Sequence, residues 1–153
     1  MGKALTPERL KQFLDDVASK IEKRGHVVQG VFNDDEPASS FAYTIGLSKT
    51  TGHELIILGL PVQTAGSILN AAADEIKGLS APLTEDYAFS NIANFPFHVR
   101  FISAESAKAR CVVMRYFINF ESTKFVQLVW PDRTGKFPGT EGCSELTVTS
   151  QLF

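Results

Sequence analysis

Residues 41–60, FAYTIGLSKTTGHELIILGL, constrain the fold more than any other stretch of the chain. Two apolar runs flank a short polar loop. In the first, FAYTIGL, alternation places Phe41, Tyr43, Ile45 and Leu47 on one face and Ala42, Thr44 and Gly46 on the other, the period of a strand. The second face is built of small residues. It lets something approach the backbone closely, either a packed helix or a ligand. The second run, ELIILGL at 54–60, is apolar on both faces and reads as a central strand. The loop from Ser48 to His53 suits an antiparallel hairpin somewhat longer than the tightest type.

The flanking segments supply helices and further strands. Leu5-Thr6-Pro7 sets an apolar residue before an N-cap threonine and a first-position proline. Leu5 and Leu10 then stand where a hydrophobic staple needs them. Leu10, Phe13, Leu14, Val17, Ala18 and Ile21 form one helical stripe, and Gly25 is a natural stop. HVVQGVF (26–32) reads as a strand and NDDEPASS (33–40) as a loop of turn formers. Pro61 opens a second helix to about Lys77, buried through Val62, Ala65, Ile68, Leu69, Ala72 and Ile76. Residues 79–95 lack a pattern, and their length makes them a candidate lid or binding loop. PFHVRFIS (96–103) alternates, with Phe97, Val99 and Phe101 opposite His98 and Arg100. Ser103 caps a third helix over about 104–119, apolar nearly all round. That helix is either central or covers a second copy in a homodimer. KFVQLVW (124–130) is the last clear strand, and PDRTG is a turn.

A run of strands followed by helix–strand alternation gives an α+β domain. It has a mostly antiparallel sheet, open or curled into a partial barrel, with about three packed helices. At 153 residues the chain is one domain with a single core. A net charge of −2 and no Lys/Arg cluster argue against nucleic acid as a partner. No apolar run approaches the roughly 18 residues of a transmembrane helix, and the N-terminus has no signal core, so neither membrane nor export is expected. Cys111 and Cys143 are the only cysteines. They read as reduced thiols, which places the chain in the cytoplasm.

GHVVQGVF, FAYTIGL, GHELIILGLP and FVQLVWPDRTGKFPG together resemble the bacterial domain of unknown function 4262 family. The resemblance runs from about Gly25 to the tail. It divides the single domain into an N-terminal helix (1–24), a family core (25–138) and a tail (139–153). It implies a small cytosolic domain and no established activity, so it carries no catalytic residue over. Pro138 is followed here by Gly139, where the resemblance leads one to expect a tryptophan.

Motifs for chemistry are sparse. There is no HExxH, since Ile57 and Leu58 stand where a second histidine would fall, and His26, His53 and His98 lie on separate strands. Neither metal ligands nor catalytic residues are assigned. His53 either closes the hairpin loop by hydrogen bonding or serves a site. His98 and Arg100 are either the exposed face of a sheet or a cationic pair for a phosphate or carboxylate. Gln127, polar between apolar neighbours, needs partners, either backbone groups or a ligand edge. Trp130 caps the core or lines a pocket mouth, and Asp132 starts the turn. Cys111 reads as a buried, inert thiol.

Two readings follow. The first is a non-enzymatic module for a small molecule or a protein partner. Its ligand site has Thr44, Gly46, Ser48 and His53 as one wall and Gln127, Trp130 and Asp132 as the other. The second is a flavin-binding, reductase-like split barrel, which needs Thr44, Ser48 and Arg100 to converge on one pocket.

Overall fold

A computed structural model describes residues 6–32 and 40–151. The Leu5 half of the staple and nearly all of the 33–40 loop lie outside these residues. Helix α1 spans Pro7–Arg24 and is capped as its sequence predicts. Thr6 Oγ1 accepts from Arg9 N–H at 3.2 Å, and Gly25 turns left-handed at φ 91° to end the helix. The other elements are β1 (Val27–Val31), β2 (Phe41–Ile45), α2 (Ser48–Thr51), β3 (His53–Leu58), α3 (Val62–Lys77), β4 (Ala88–Phe89), β5 (Phe97–Ile102), α4 (Ala104–Arg110), β6 (Lys124–Val129) and α5 (Glu145–Ser150).

The six strands form one mixed sheet in the order β1-β2-β3-β6-β5-β4. All neighbours are antiparallel except β3 and β6, which run parallel with His53 opposite Lys124 and Ile56 opposite Gln127. The sheet is open, with β1 and β4 at its edges, so the partial barrel does not form. β3 is buried at all six positions, as its two-sided apolar run requires.

Alternation along the strands divides the core in two. Ala42, Leu55, Ile57, Val126 and Leu128 meet Ala65, Ile68, Leu69, Ala72 and Ile76 of α3 on one face. Phe41, Tyr43, Ile45, Ile56 and Phe125 meet Val17 and Ile21 of α1, Ala107 of α4, and Cys111 and Met114 on the other. Each face is closed by helices, so nearly every strand residue near the centre is apolar.

Two sequence expectations are corrected. The 48–53 loop contains a single helical turn, α2, which Gly52 ends at φ 79°. The helix expected over 104–119 stops at Arg110, and Val112–Tyr116 continue as a 3₁₀ helix. In an unbroken α-helix the Val113 N–H would bond back four residues. Here it donates to the Tyr43 hydroxyl at 3.2 Å, and two consecutive β-branched valines weaken the α-helical alternative. The break leaves Val112 and Tyr116 about half exposed, at 47% and 52%. Residues 79–95 are irregular apart from the two-residue β4.

Candidate functional site

The first expected wall of the site turns inward. Glu54 begins the apolar run of β3 and is fully buried. Its Oε1 accepts from the Thr44 hydroxyl at 2.7 Å. Its Oε2 accepts from Gly46 N–H at 2.9 Å, Ser48 N–H at 3.0 Å and the Ser48 hydroxyl at 2.8 Å. Thr44 Oγ1 also accepts from Leu55 N–H at 2.8 Å, replacing a ladder bond where β2 and β3 splay. Burial raises the Glu54 carboxyl above its ordinary pKa, opposed by the Thr44, Ser48 and Gly46 hydrogen bonds. Gly46, at φ 96°, is also where α1 closes on the sheet: a Cβ there would lie 2.7 Å from Ile21 Cγ2. Thr44, Gly46 and Ser48 thus form a clamp on one buried carboxylate. Sequence reasoning missed Glu54 as a structural centre; its signal was a lone acid opening a strand otherwise apolar on both faces.

His53 sits beside this clamp and is 6% exposed. Its Nδ1 bonds Thr51 O at 2.9 Å, which fixes the neutral ring with Nδ1–H donating, and its Nε2 is buried without a partner among the described residues. Burial lowers its pKa, and Lys124 adds to the effect. The ring stacks on Phe101 at 6.5 Å.

Trp130 and Asp132 lie at the opposite end of the sheet. β3 and β6 are parallel, and His53 is at their amino ends while Trp130 follows their carboxyl ends. Six residues at roughly 3.3 Å each separate the two by about 20 Å. The structure therefore does not bring the two walls together. At the carboxyl ends is a separate cleft of about 870 Å³. Gly59 and Leu60 enter it from the end of β3, and Trp130, Pro131, Arg133 and Thr134 from beyond β6. Asn94 and Phe95 of the irregular stretch, Asp132, Gly135 and Ser144 of the 131–144 loop, and Thr147 of α5 complete it.

Two residues shape this cleft. Trp130 Nε1–H donates to Leu58 O at 2.7 Å, so the indole is pinned to β3 and its edge donor is used. Asp132 organises the 131–144 loop. Its Oδ1 accepts from Thr134 N–H at 2.8 Å, the Thr134 hydroxyl at 2.6 Å and Lys136 N–H at 3.0 Å, and its Oδ2 from Ser144 N–H at 2.9 Å. These bonds, with the Thr134 hydroxyl foremost, hold its carboxyl well below the usual range.

Gln127, Arg100 and His98 do come together. Arg100 pairs with Gln127 across β5 and β6, and His98 with Val129. Arg100 and His98 are exposed, and Gln127 is fully buried. Gln127 Nε2 donates to Gln151 O at 2.7 Å, while its Oε1 is buried without a partner among the described residues. Gln151, in the weakly patterned tail, was not legible as part of any site. The need of a buried Gln127 for a partner was the one signal pointing to it. Arg100 is three strands away from Thr44, roughly 14 Å at 4.7–4.9 Å per strand. Thr44, Ser48 and Arg100 therefore do not share a pocket.

A family model described as "Domain of unknown function (DUF4262)" matches residues 20–144. The chain belongs to the DUF4262 family. Neither a curated protein nor a solved structure matches it. All six strands and α3 of this DUF4262 domain fall within the matched span, as does the Trp130 cleft apart from Thr147; the span takes in only the last residues of α1 and ends before α5. Among the described residues, no three metal-ligating side chains lie together and no helix is long and apolar enough to cross a membrane.

Proposed function

We propose that this DUF4262 domain is a binding module for a small, flat, partly apolar anion, held in the cleft at the carboxyl ends of β3 and β6. The observation that carries the reading is the topology there. β3 leads into α3 on one face, whereas β6 leads into the 131–144 loop and α5, after which Gln151 meets Gln127 on the other. Two parallel neighbours whose connections part to opposite faces leave a crevice outside their carboxyl ends, the position where open sheets bind ligands.

The lining sets the ligand class. Trp130, its N–H already used, offers a ring face, and Phe95, Leu60 and Pro131 extend the apolar surface. The Asp132 carboxylate is spent on its own loop, so Arg133, exposed at the rim, is the charged group left for a ligand. The binding reading is favoured over catalysis by the state of the acid and thiol groups. Glu54 is clamped and buried, Asp132 is fully engaged, and burial pushes the Cys111 thiol up to about 12.

The chain has one tryptophan, so its emission reports on this cleft. Titration with 2-naphthoate is expected to quench Trp130 saturably, and Arg133→Ala to weaken binding about tenfold. Unchanged emission across a panel of flat aromatic carboxylates would overturn the reading.

A further inference from the structure

Strand β1 is the open edge of the sheet. All five of its residues are partly exposed, whereas β2 beside it is fully buried, and β4 at the other edge has only two residues. Very short or charged edges resist pairing with another chain, and β1, VVQGV, is of ordinary length and carries no charge. The direction of its backbone groups follows from the ladder. Ser40 O accepts from Gly59 N–H at 3.2 Å, so the even-numbered residues of β2 bond β3 and the odd-numbered ones bond β1. In the β1–β2 register Val27, Gln29 and Val31 therefore bond β2, and Val28 and Gly30 turn their N–H and C=O groups outward. Among the described residues the one bond on that edge is internal, from Gln29 Nε2 to Gly30 O at 3.1 Å. A carbonyl has a second lone pair, so Gly30 O can still accept from a neighbouring strand.

This edge is complementary to itself. Turned antiparallel about Gln29, a second β1 sets Val28 opposite Gly30 and Val27 opposite Val31, each contact occurring twice. Val28 and Gly30, with their outward backbone groups, then form the hydrogen-bonded pairs, and Gln29 meets Gln29 on the two-fold axis. Bulk alternates across the seam. Gly30 has no room for a Cβ, which would lie 2.3 Å from Val62 Cγ1, and it takes the larger Val28 as its cross-strand neighbour.

The two ends of the strand fit the same register. Phe32, one residue past β1, is 71% exposed. It comes opposite His26 of the other copy, at a groove of about 340 Å³ lined by His26, Val27, Val28 and Asn70. Lys23 and Arg24 also line this groove and are exposed. After Phe32 the sequence continues to Asp34, Asp35 and Glu36. Chain length alone keeps Asp34 and Asp35 within about 11 Å of Phe32. Antiparallel pairing thus brings an acidic run to a basic groove at both ends of the seam.

We propose that the β1 edge joins two copies of this chain into a two-fold dimer with one continuous sheet, six strands from each copy. Phe32 of each copy seats in the basic groove of the other. The seam shares no residue with the Trp130 cleft, so it stands apart from the ligand reading.

The test is the mass of the full chain by sedimentation equilibrium, with variants at the seam. The wild type is expected to be a dimer at micromolar concentration. Gln29→Lys sets two ammonium groups together on the axis, and Phe32→Lys sets one against the basic groove. Each is expected to raise the dissociation constant at least tenfold while leaving the far-ultraviolet circular dichroism unchanged. Cross-linking with a thiol oxidant reads the register. Gln29→Cys meets itself on the axis and is expected to give a disulfide-linked dimer, whereas Val31→Cys meets Val27 and is not. The proposal is overturned if the wild type stays monomeric up to millimolar concentration, if the two lysine variants dimerise like the wild type, or if Gln29→Cys cross-links no faster than Val31→Cys.

Discussion

Gln151 grips both backbone polar groups of Trp130: its Oε1 accepts from Trp130 N–H at 2.8 Å and its Nε2 donates to Trp130 O at 2.8 Å. A side-chain amide here does what a neighbouring strand would do, and it docks α5 beside the end of β6. The same Nε2 reaches Thr147 O at 3.2 Å, and Gln151 O receives the Gln127 amide.

Gln151→Glu tests this dock. A carboxylate keeps the acceptor but sets an oxygen against the carbonyls of Trp130 and Thr147. A loss of about 2 kcal/mol is expected for the two missing donors. It should show as roughly 30-fold faster hydrogen exchange at Trp130 N–H, because the dock opens locally. Unchanged exchange would contradict the assigned role.

The Glu54 clamp makes a pH prediction. Its folded pKa lies above the ordinary 4.5, so the folded state binds the proton more tightly than the unfolded chain. Its contribution is fully present below about pH 4.5 and is lost as pH rises through the folded pKa. Glu54→Gln keeps an acceptor for Gly46 and Ser48 and places an N–H₂ toward Thr44 Oγ1. The difference in denaturant stability between wild type and Glu54→Gln should therefore fall with rising pH across this window. Glu54→Leu leaves those donors unmet and should cost about 3 kcal/mol or more. A pH-independent difference would remove the carboxylate from the account.

His26 predicts the opposite slope. Buried, it accepts from Lys77 Nζ at Nδ1, 2.9 Å away, and donates from Nε2 to Asn70 Oδ1, also at 2.9 Å. Burial lowers its pKa below 6.5; Lys77 and Arg24 add to this, while Asn70 and Asp74 oppose it. The stability it contributes is present above pH 6.5 and is lost as pH falls through the folded pKa. His26→Gln offers one acceptor and one donor without titrating. It should flatten the acid limb of the stability curve below pH 6.5, with His53 supplying the remainder. An unchanged limb would place the titration elsewhere.

The two thiols should separate by reactivity. Cys111 is fully buried, while Cys143 is half-buried in the Asp132 loop. Burial raises both, and the Asp132 carboxylate adds to the effect at Cys143. A disulfide reagent should modify one thiol per native chain, slowly, and both after unfolding. Rapid loss of both in the native state would contradict the packing of Cys111 beneath the 3₁₀ turn.

What the sequence made legible follows from periodicity. The α1 cap, the α3 stripe, the two-sided burial of β3 and the alternation of Phe97–Ile102 all express local rules, and the structure has them. The parallel β3–β6 pairing is set by contacts some 70 residues apart, which leave no local signature. The expected site mixed two ends of one sheet for the same reason. Strand motifs identify Thr44, His53 and Trp130 as distinctive, but only register shows that His53 and Trp130 stand six residues apart along a parallel pair. The inward use of Thr44 and Ser48 depends on Glu54, a charge whose burial becomes sensible only once its four donors are seen together.

The central claim is that ligand binds at the carboxyl ends of β3 and β6. The single tryptophan gives one indole N–H signal, and that N–H is fixed on Leu58 O in the cleft wall. The most direct measurement is the NMR shift of this signal during titration with flat aromatic carboxylates. Saturable movement of the indole peak together with the amides of Leu60, Arg133 and Thr134 is expected. Saturable binding that leaves the indole peak in place and moves other amides would contradict it.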